Sequence, residues 1–329
     1  MSLRLPDHWV WDFWFAQDGD DVHLFFLHAP RTDADPELRH SSARIGHAVS
    51  RDLRNWELLP AALGPGSPGA FDDQATWTGS VLHSGGRWHL FYTGIAAREH
   101  GAVQRIGHAI SDDLVGWERQ GLVLEAAPAW YEKRGPGVPA EAWRDPWVFE
   151  SADGGGFHML VTARVNHGPP DGRGVIALAS SPDLETWEIR APVSEPGEFG
   201  MLEVPQLVHL GGRWRLLFST VGHEHSAARL ARPGVVPEAG THYLVADDQL
   251  GPFRLERDSF LVGSRDVRYY AARVIHHGGA WQLLAWHHTA GQRFVGELSD
   301  PMPVAVGPDG ALSVEVPDRA GEPSPAPAA

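Results

Sequence analysis

No cysteine occurs among the 329 residues, which excludes disulfides and thiolate chemistry together. No run approaches the roughly 20 apolar residues that a membrane-spanning helix needs, and no long amphipathic helical pattern is present. The opening residues, Met1 to His8, lack the apolar stretch of a secretory leader, so a cytoplasmic location is expected. Basic residues are few: 27 Lys and Arg stand against 42 Asp and Glu, a net charge of −15. That balance argues against nucleic acid or an anionic membrane face as partner and suits a neutral ligand. The 19 histidines are scattered, adjacent only at His276-His277 and His287-His288. A metal site would need ligands converging from distant parts of the chain, so neither a metal nor another cofactor is expected.

What the chain does have is a repeat. Arg44-Ile45-Gly46-His47-Ala48-Val49-Ser50-Arg51-Asp52-Leu53-Arg54-Asn55-Trp56-Glu57 returns as Arg105-Ile106-Gly107-His108-Ala109-Ile110-Ser111-Asp112-Asp113-Leu114-Val115-Gly116-Trp117-Glu118. Worn copies start at Val175 and Tyr243, the latter with Phe253 in place of the tryptophan. A second element, Gly85-Gly86-Arg87-Trp88-His89-Leu90-Phe91-Tyr92, recurs at Gly211 and Gly278, and more loosely at Gly155 and Asp20. Each run alternates large apolar with polar or small residues between turn formers, the pattern of strands in hairpins.

Length alone suggests two domains, but repeated multi-strand units of this size are the signature of propeller blades, each sheet burying its faces against its neighbours. The fold class expected is therefore all-β, a single five-bladed β-propeller spanning residues 1–314. Its blades fall near 8–60, 75–121, 142–191, 201–258 and 265–314, followed by a disordered tail at 315–329. Trp56, Trp117 and Trp187, in the repeated outer strand, are expected to be structural.

Three acidic motifs stand at corresponding points of separate units: Trp11-Asp12-Phe13-Trp14, Trp143-Arg144-Asp145-Pro146 and Leu202-Glu203-Val204-Pro205. Three carboxylates brought to one axis suit cleavage or transfer of a glycosidic bond, in which one acts as nucleophile and another as proton donor.

These residues carry a resemblance. The chain resembles the five-bladed β-propeller glycosidases of clan J, glycoside hydrolase families 32 and 68, which act on fructosyl residues. The segment 47–60 looks like an outer strand of family 32 invertases. Thr78-Gly79-Ser80 is similar to the Ser-Gly-Ser of their second blade, Arg144-Asp145-Pro146 matches the Arg-Asp-Pro of both families, and Glu203-Val204-Pro205 lies where family 32 carries Glu-Cys-Pro. Two departures stand out. Val10-Trp11-Asp12-Phe13-Trp14 replaces the usual Asn-Asp-Pro-Asn-Gly and looks more like the Trp-Asp-x-Trp of family 68. The C-terminal β-sandwich usual in family 32 is also not expected here.

The resemblance implies a retaining β-fructofuranosidase or fructosyltransferase, with Asp12 as nucleophile, Glu203 as acid/base and Asp145 as transition-state stabiliser. Glu203 is expected to keep its proton near neutral pH in a partly desolvated setting beside other carboxylates. Asp145 is expected to stay ionised, held by hydrogen bonds and by Arg144. Substrate contacts are assigned to Arg144, Trp11, Trp14, Trp77, Ser80 and Tyr270. For the tryptophans, Trp143 included, packing against the next blade competes with stacking on a sugar. Asp72 and Asp73 read as a solvated turn, and His287 and His288 as an exposed strand end.

The expected partner is a small carbohydrate, with oligomeric state open. Two alternatives stay open as well: an inverting arabinofuranosidase or xylosidase of a neighbouring five-bladed family, with carboxyl groups about 6.5–9.5 Å apart rather than about 5 Å, and a non-catalytic carbohydrate-binding propeller. The loops 65–69, 133–139 and 223–240 are expected to shape the rim.

Overall fold

The computed structural model describes residues 3–32, 35–291 and 293–316. Its sheets follow one another along the chain as five blades of a β-propeller. The first holds β1 (His8–Asp18), β2 (Asp21–Pro30), β3 (Arg44–Ser50) and β4 (Glu57–Leu63). The second holds β5 (Ala75–Ser84), β6 (Arg87–Ile95), β7 (Gln104–Ser111) and β8 (Glu118–Leu124). The third holds β9 (Trp143–Glu150), β10 (Phe157–Arg164), β11 (Gly174–Ser181) and β12 (Glu188–Arg190), and the fourth β13 (Glu203–Leu210), β14 (Arg213–Thr220), β15 (Ala239–Ala246) and β16 (Val262–Ser264). The fifth runs β17 (Tyr269–His277), β18 (Ala280–Ala290), β20 (Met302–Val306) and β21 (Leu312–Val314), with β19 (Arg293–Leu298) pairing off the path with β18.

Every paired strand is antiparallel to its neighbour, and β1, β5, β9, β13 and β17 touch in sequence and close into a ring. The expected disordered tail lies outside the described residues from 317 onward. Among the described residues no strand follows β21, and the one α-helix is the four-residue Ala227–Leu230.

The outer-strand repeat has a local cause. Asp52 Oδ1 accepts from the backbone N–H of Arg54 and Asn55, Asp113 Oδ1 from Val115 and Gly116, and Asp183 Oδ1 from Glu185 and Thr186, all at 2.8–2.9 Å. Each turn drives a leucine into the left-handed region: Leu53, Leu114 and Leu184 have φ of 60°, 64° and 66°. Burial of those leucines offsets the strain. Trp117 and Trp187 pack edge-on against Phe25 and Phe91 of the preceding blade, 5.7 and 5.5 Å between centroids, as the structural reading expects. The aromatic stripe is what joins one sheet to the next.

All five inner strands lose register at the same level. The irregularities fall between Trp11 and Phe13, Trp77 and Gly79, Arg144 and Trp147, Glu203 and Gln206, and Tyr270 and Arg273. Bulges of this kind release residues from the ladder and re-aim their side chains. Three non-glycine residues there have positive φ: Asp145 at 60°, Val204 at 53° and Ala271 at 47°. Such conformations cost about 1–3 kcal/mol each and persist only where the surroundings hold them.

Gly79 is required for a different reason, because a Cβ there would run into the carbonyl oxygen of Phe91 on the paired strand. Gly79→Ala is expected to destabilise the protein by about 2 kcal/mol through overpacking, which thermal unfolding followed by circular dichroism would register as a lowered Tm.

Candidate active site

The bulges open onto one cavity of about 490 Å³, lined among others by Trp11, Asp12, Trp77, Thr78, Arg144, Asp145, Glu203 and Tyr270. Asp12, Asp145 and Glu203, which lie on β1, β9 and β13, thus face a common space. Two of the expected contact residues do not line it. Trp14 is fully buried, stacked on Phe25 at 6.1 Å within the first blade. Ser80 turns toward the third blade, where its hydroxyl accepts from the Val148 N–H at 3.0 Å. Both lie two residues past a bulge, beyond the level at which side chains are turned into the cavity. Trp143 is also core, packed on Tyr131.

Each carboxylate is held differently. Asp12 accepts from the Thr78 hydroxyl at 2.7 Å on Oδ2 and from the Trp286 indole N–H at 3.1 Å on Oδ1. Burial raises its pKa and Glu203 adds to the rise, against the lowering effects of the Thr78 bond, His40 and Arg39. Asp145 accepts on Oδ2 from Thr162 at 3.0 Å and from the Val204 N–H at 3.1 Å. Burial, with the charges of Asp12 and Glu203 adding to it, pushes Asp145 up to about 7 despite Arg144. Glu203 accepts from Arg144 Nη2 and from the Tyr270 hydroxyl, both at 2.5 Å. Burial pushes it up too, but Arg144 and Tyr270 outweigh this and hold it below the usual range.

This order of proton affinities reverses the expectation from sequence. Arg144 lies 2.5 Å from Glu203 but 3.7 Å from Asp145, so its charge favours ionised Glu203 over ionised Asp145. A third acceptor, the side-chain amide oxygen Oε1 of Gln104, takes Arg144 Nη1 at 3.1 Å and fixes the guanidinium.

Two further expectations change. Asp72 is buried, accepting from the Tyr92 hydroxyl at 2.8 Å and from Arg119 at 3.1 Å, so it ties the loop before β5 to its blade rather than lying in solvent. His288 is no exposed strand end: β18 runs far enough to bring it into the cavity lining, and burial pushes it down to about 4, so it is neutral. Trp77 does reach the cavity, its indole donating to the His40 carbonyl at 2.7 Å.

Lining residues missed in the sequence come from second and third strands and a connection: Trp286, Gln104, and Glu37, Arg39 and His40 of the 3-10 helix Pro36–Ser42. Of the rim loops, 223–240 contributes His223 and Glu224, whereas 133–139 lines a neighbouring cavity of about 370 Å³. Among the described residues no group of three or more His, Asp or Glu forms a metal cage.

Comparison with known proteins places this geometry. Residues 15–247 match the family model described as the glycosyl hydrolases family 32 N-terminal domain. A sucrose-6-phosphate hydrolase of Zymomonas mobilis is 32% identical over 214 residues, covering 61% of this chain and 38% of that protein. One of Bacillus subtilis is 28% identical over 272 residues, covering 80% and 51%. The chain thus spans about half, or less, of these relatives' length. A solved inulosucrase from Halalkalicoccus jeotgali bound to kestose shares the fold, with a TM-score of 0.75, 24% identity and coverage of 95% and 92%. Because the family match covers most of the propeller, with Asp145 and Glu203 inside it and Asp12 three residues before its start, this chain belongs to glycosyl hydrolases family 32.

Proposed function

We propose that the protein is a retaining hydrolase of β-fructofuranosyl linkages, acting on sucrose or small fructo-oligosaccharides. The observation that carries this reading is the convergence of Asp12, Asp145 and Glu203 on one cavity in a family 32 chain. Asp12 attacks the anomeric carbon to form a fructosyl-enzyme ester, and Glu203 protonates the departing oxygen, then deprotonates the incoming water. Asp145 binds two ring hydroxyls more tightly as the oxocarbenium ion develops. Trp77 borders the cavity as a surface for the sugar, and Arg144 and Tyr270 hold the acid/base in place.

Asp145 is raised and Glu203 lowered, the reverse of what Glu203 needs as the acid, and substrate corrects this. Hydroxyls donating to Asp145 favour its charged form, and that charge, beside Glu203, raises the affinity of Glu203 for the proton. Release of fructose to water and transfer to a second sugar share the ester, so the acceptor that reaches it decides between them.

The charge balance of the lining supports a neutral substrate. Arg39 and His40 face Glu37 at 2.6 and 3.5 Å, Arg144 faces Glu203 at 2.5 Å, His223 faces Glu224 at 3.8 Å, and His288 is neutral. Both described arginines on the lining already have their carboxylates, which leaves a dianionic phosphate uncompensated.

Sucrose is therefore expected to exceed sucrose-6-phosphate in kcat/KM by at least about tenfold, the discrimination coming from an unpaired charge in the site. The test is product analysis of the purified protein with both sugars, 1-kestose, and arabinofuranosyl and xylosyl substrates. Fructose released from sucrose supports the reading; turnover of pentosyl substrates alone overturns it, and preference for the phosphorylated sugar overturns the charge argument.

A further inference from the structure

Beneath the carboxylates lies a guanidinium that no motif announced. Arg273 follows the bulge of β17 and is wholly buried, at 0% exposure. Its Nε donates to the Phe13 carbonyl at 3.2 Å and its Nη1 to the Pro205 carbonyl at 2.5 Å. Phe13 is the residue after Asp12, and Pro205 stands two after Glu203 inside the bulge of β13. One planar fork from blade five thus grips the backbone of blades one and four beside the two carboxylates on which the proposed chemistry depends. Its Nη2 is buried without a hydrogen-bond partner, and the guanidinium lies 5.0 Å from the centroid of the Trp147 ring.

A buried arginine with two carbonyls and no carboxylate in contact is an expensive arrangement, since desolvating the charge is only partly offset by neutral acceptors. The nearest compensation comes through space from Asp145 and Asp12. The coupling is mutual: whatever those charges do for Arg273, its charge does for them.

Trp147, together with Gln206 and Val274, lines a second cavity of about 530 Å³ formed by residues further along the inner strands, including Phe15, Gln17, Leu82 and Ile275. Gln206 closes on Val274 by a reciprocal pair of 2.8 Å bonds to its N–H and carbonyl. Arg273 therefore stands at the level between the two cavities, where the inner strands come together below the catalytic carboxylates.

We infer that Arg273 is a positioning residue for the fructosyl chemistry: its fork fixes the spacing of the bulges that carry Asp12 and Glu203, and its charge supports the ionised forms of Asp12 and Asp145 from below. The two functions are separable by chemistry. Lysine keeps the charge but offers a single nitrogen in place of a planar fork. Methionine fills similar volume and keeps neither.

The inference rests on the proposed function, so one readout is independent of turnover. The ionisable and charged groups facing the cluster are Asp12 on β1, Arg144 and Asp145 on β9, Glu203 on β13, Tyr270 on β17, and Arg39 and His40 of the 3-10 helix. Carboxyl carbon-13 NMR titration of Asp145 is measured in the parent, Arg273→Lys and Arg273→Met, beside kcat and KM for sucrose against pH. Arg273→Met is expected to raise the Asp145 midpoint and the acid limb of kcat/KM by about one pH unit, and to lower kcat at least about a hundredfold. Arg273→Lys is expected to leave the midpoint in place, lower kcat about tenfold, and change KM little.

Parental kcat in either folded variant overturns the clamp, and an unmoved Asp145 midpoint in Arg273→Met overturns the charge role. A lowered Tm with unchanged kcat and midpoint means the arginine only holds the fold. If Arg273→Met does not fold, Arg273→Gln takes its place for the charge arm, and the kcat–KM split of Arg273→Lys decides the clamp. If the parent itself releases no fructose, the functional reading fails while the NMR arm still decides the electrostatic coupling.

Discussion

Asp12→Asn is expected to abolish fructose release from sucrose, lowering kcat by about 10⁴-fold or more, while the protein stays folded. The two halves of that expectation come from one geometry. Asp12 receives the Trp286 indole N–H on Oδ1 and the Thr78 hydroxyl on Oδ2. An asparagine satisfies both: its carbonyl oxygen accepts from Trp286, which can only donate, and its NH₂ donates to the Thr78 oxygen once that hydroxyl rotates. The substitution also removes a carboxylate whose charged form burial disfavours. What it deletes is the anionic carboxylate oxygen that would form the ester, and loss of the nucleophile in a serine protease costs about six orders of magnitude in kcat.

The measurement pairs kcat on sucrose with thermal unfolding of the same preparations. An unchanged or raised Tm with activity gone assigns Asp12 to the chemistry. Retained activity removes it from that role. Mass spectrometry of acid-quenched parent enzyme mixed with excess sucrose adds the mechanistic arm: a fructosyl adduct on the peptide containing Asp12 is expected, and its absence together with product of inverted configuration would transfer the protein to an inverting mechanism.

The blades were legible because their signals are local and repeated. An Asp-capped turn and a left-handed leucine recur at Asp52-Leu53, Asp113-Leu114 and Asp183-Leu184, with a tryptophan three residues after each leucine, and each acts within a few residues of itself. The carboxylates were legible for the same reason, each standing in a short motif at the bulge of an inner strand. Trp14 and Ser80 were misread because alternation puts residues two apart on one face, and a bulge ends that rule at the place where the site begins.

Trp286, Gln104 and Arg39 carried no comparable signal. They reach the cavity from a second strand, a third strand and a 3-10 helix, so their meeting depends on how whole blades pack. Arg144 shows a finer limit: sequence placed it beside Asp145, but its guanidinium lies just over an ångström nearer Glu203 and gives its hydrogen bond there.

Asp145→Asn is expected to make the protein less active and, at neutral and alkaline pH, more stable. Asp145 sits at φ +60°, a conformation that asparagine tolerates as well as aspartate does, so the backbone should not object. The asparagine oxygen can keep the bonds from Thr162 and the Val204 N–H. Burial raises the folded-state pKa of Asp145 from 3.8 to about 7.

A raised carboxylate binds its proton more tightly folded than unfolded, so its contribution is whole below about pH 4 and is lost as pH climbs to about 7, in total up to about 4 kcal/mol. Asparagine does not titrate and escapes that loss. The Tm difference between variant and parent should therefore be small near pH 4 and grow in favour of the variant toward pH 8. Glu203, whose pKa is held low, works in the opposite sense and costs both proteins stability in acid. Activity should fall about 10²- to 10⁴-fold with little change in KM, because the hydroxyl contacts strengthen only in the transition state. Unfolding curves at pH 4, 6 and 8 decide the stability claim: a variant less stable than the parent at pH 8 would mean that the charge of Asp145 is fully compensated by Arg144, and that the site is less strained than its crowding of three carboxylates implies.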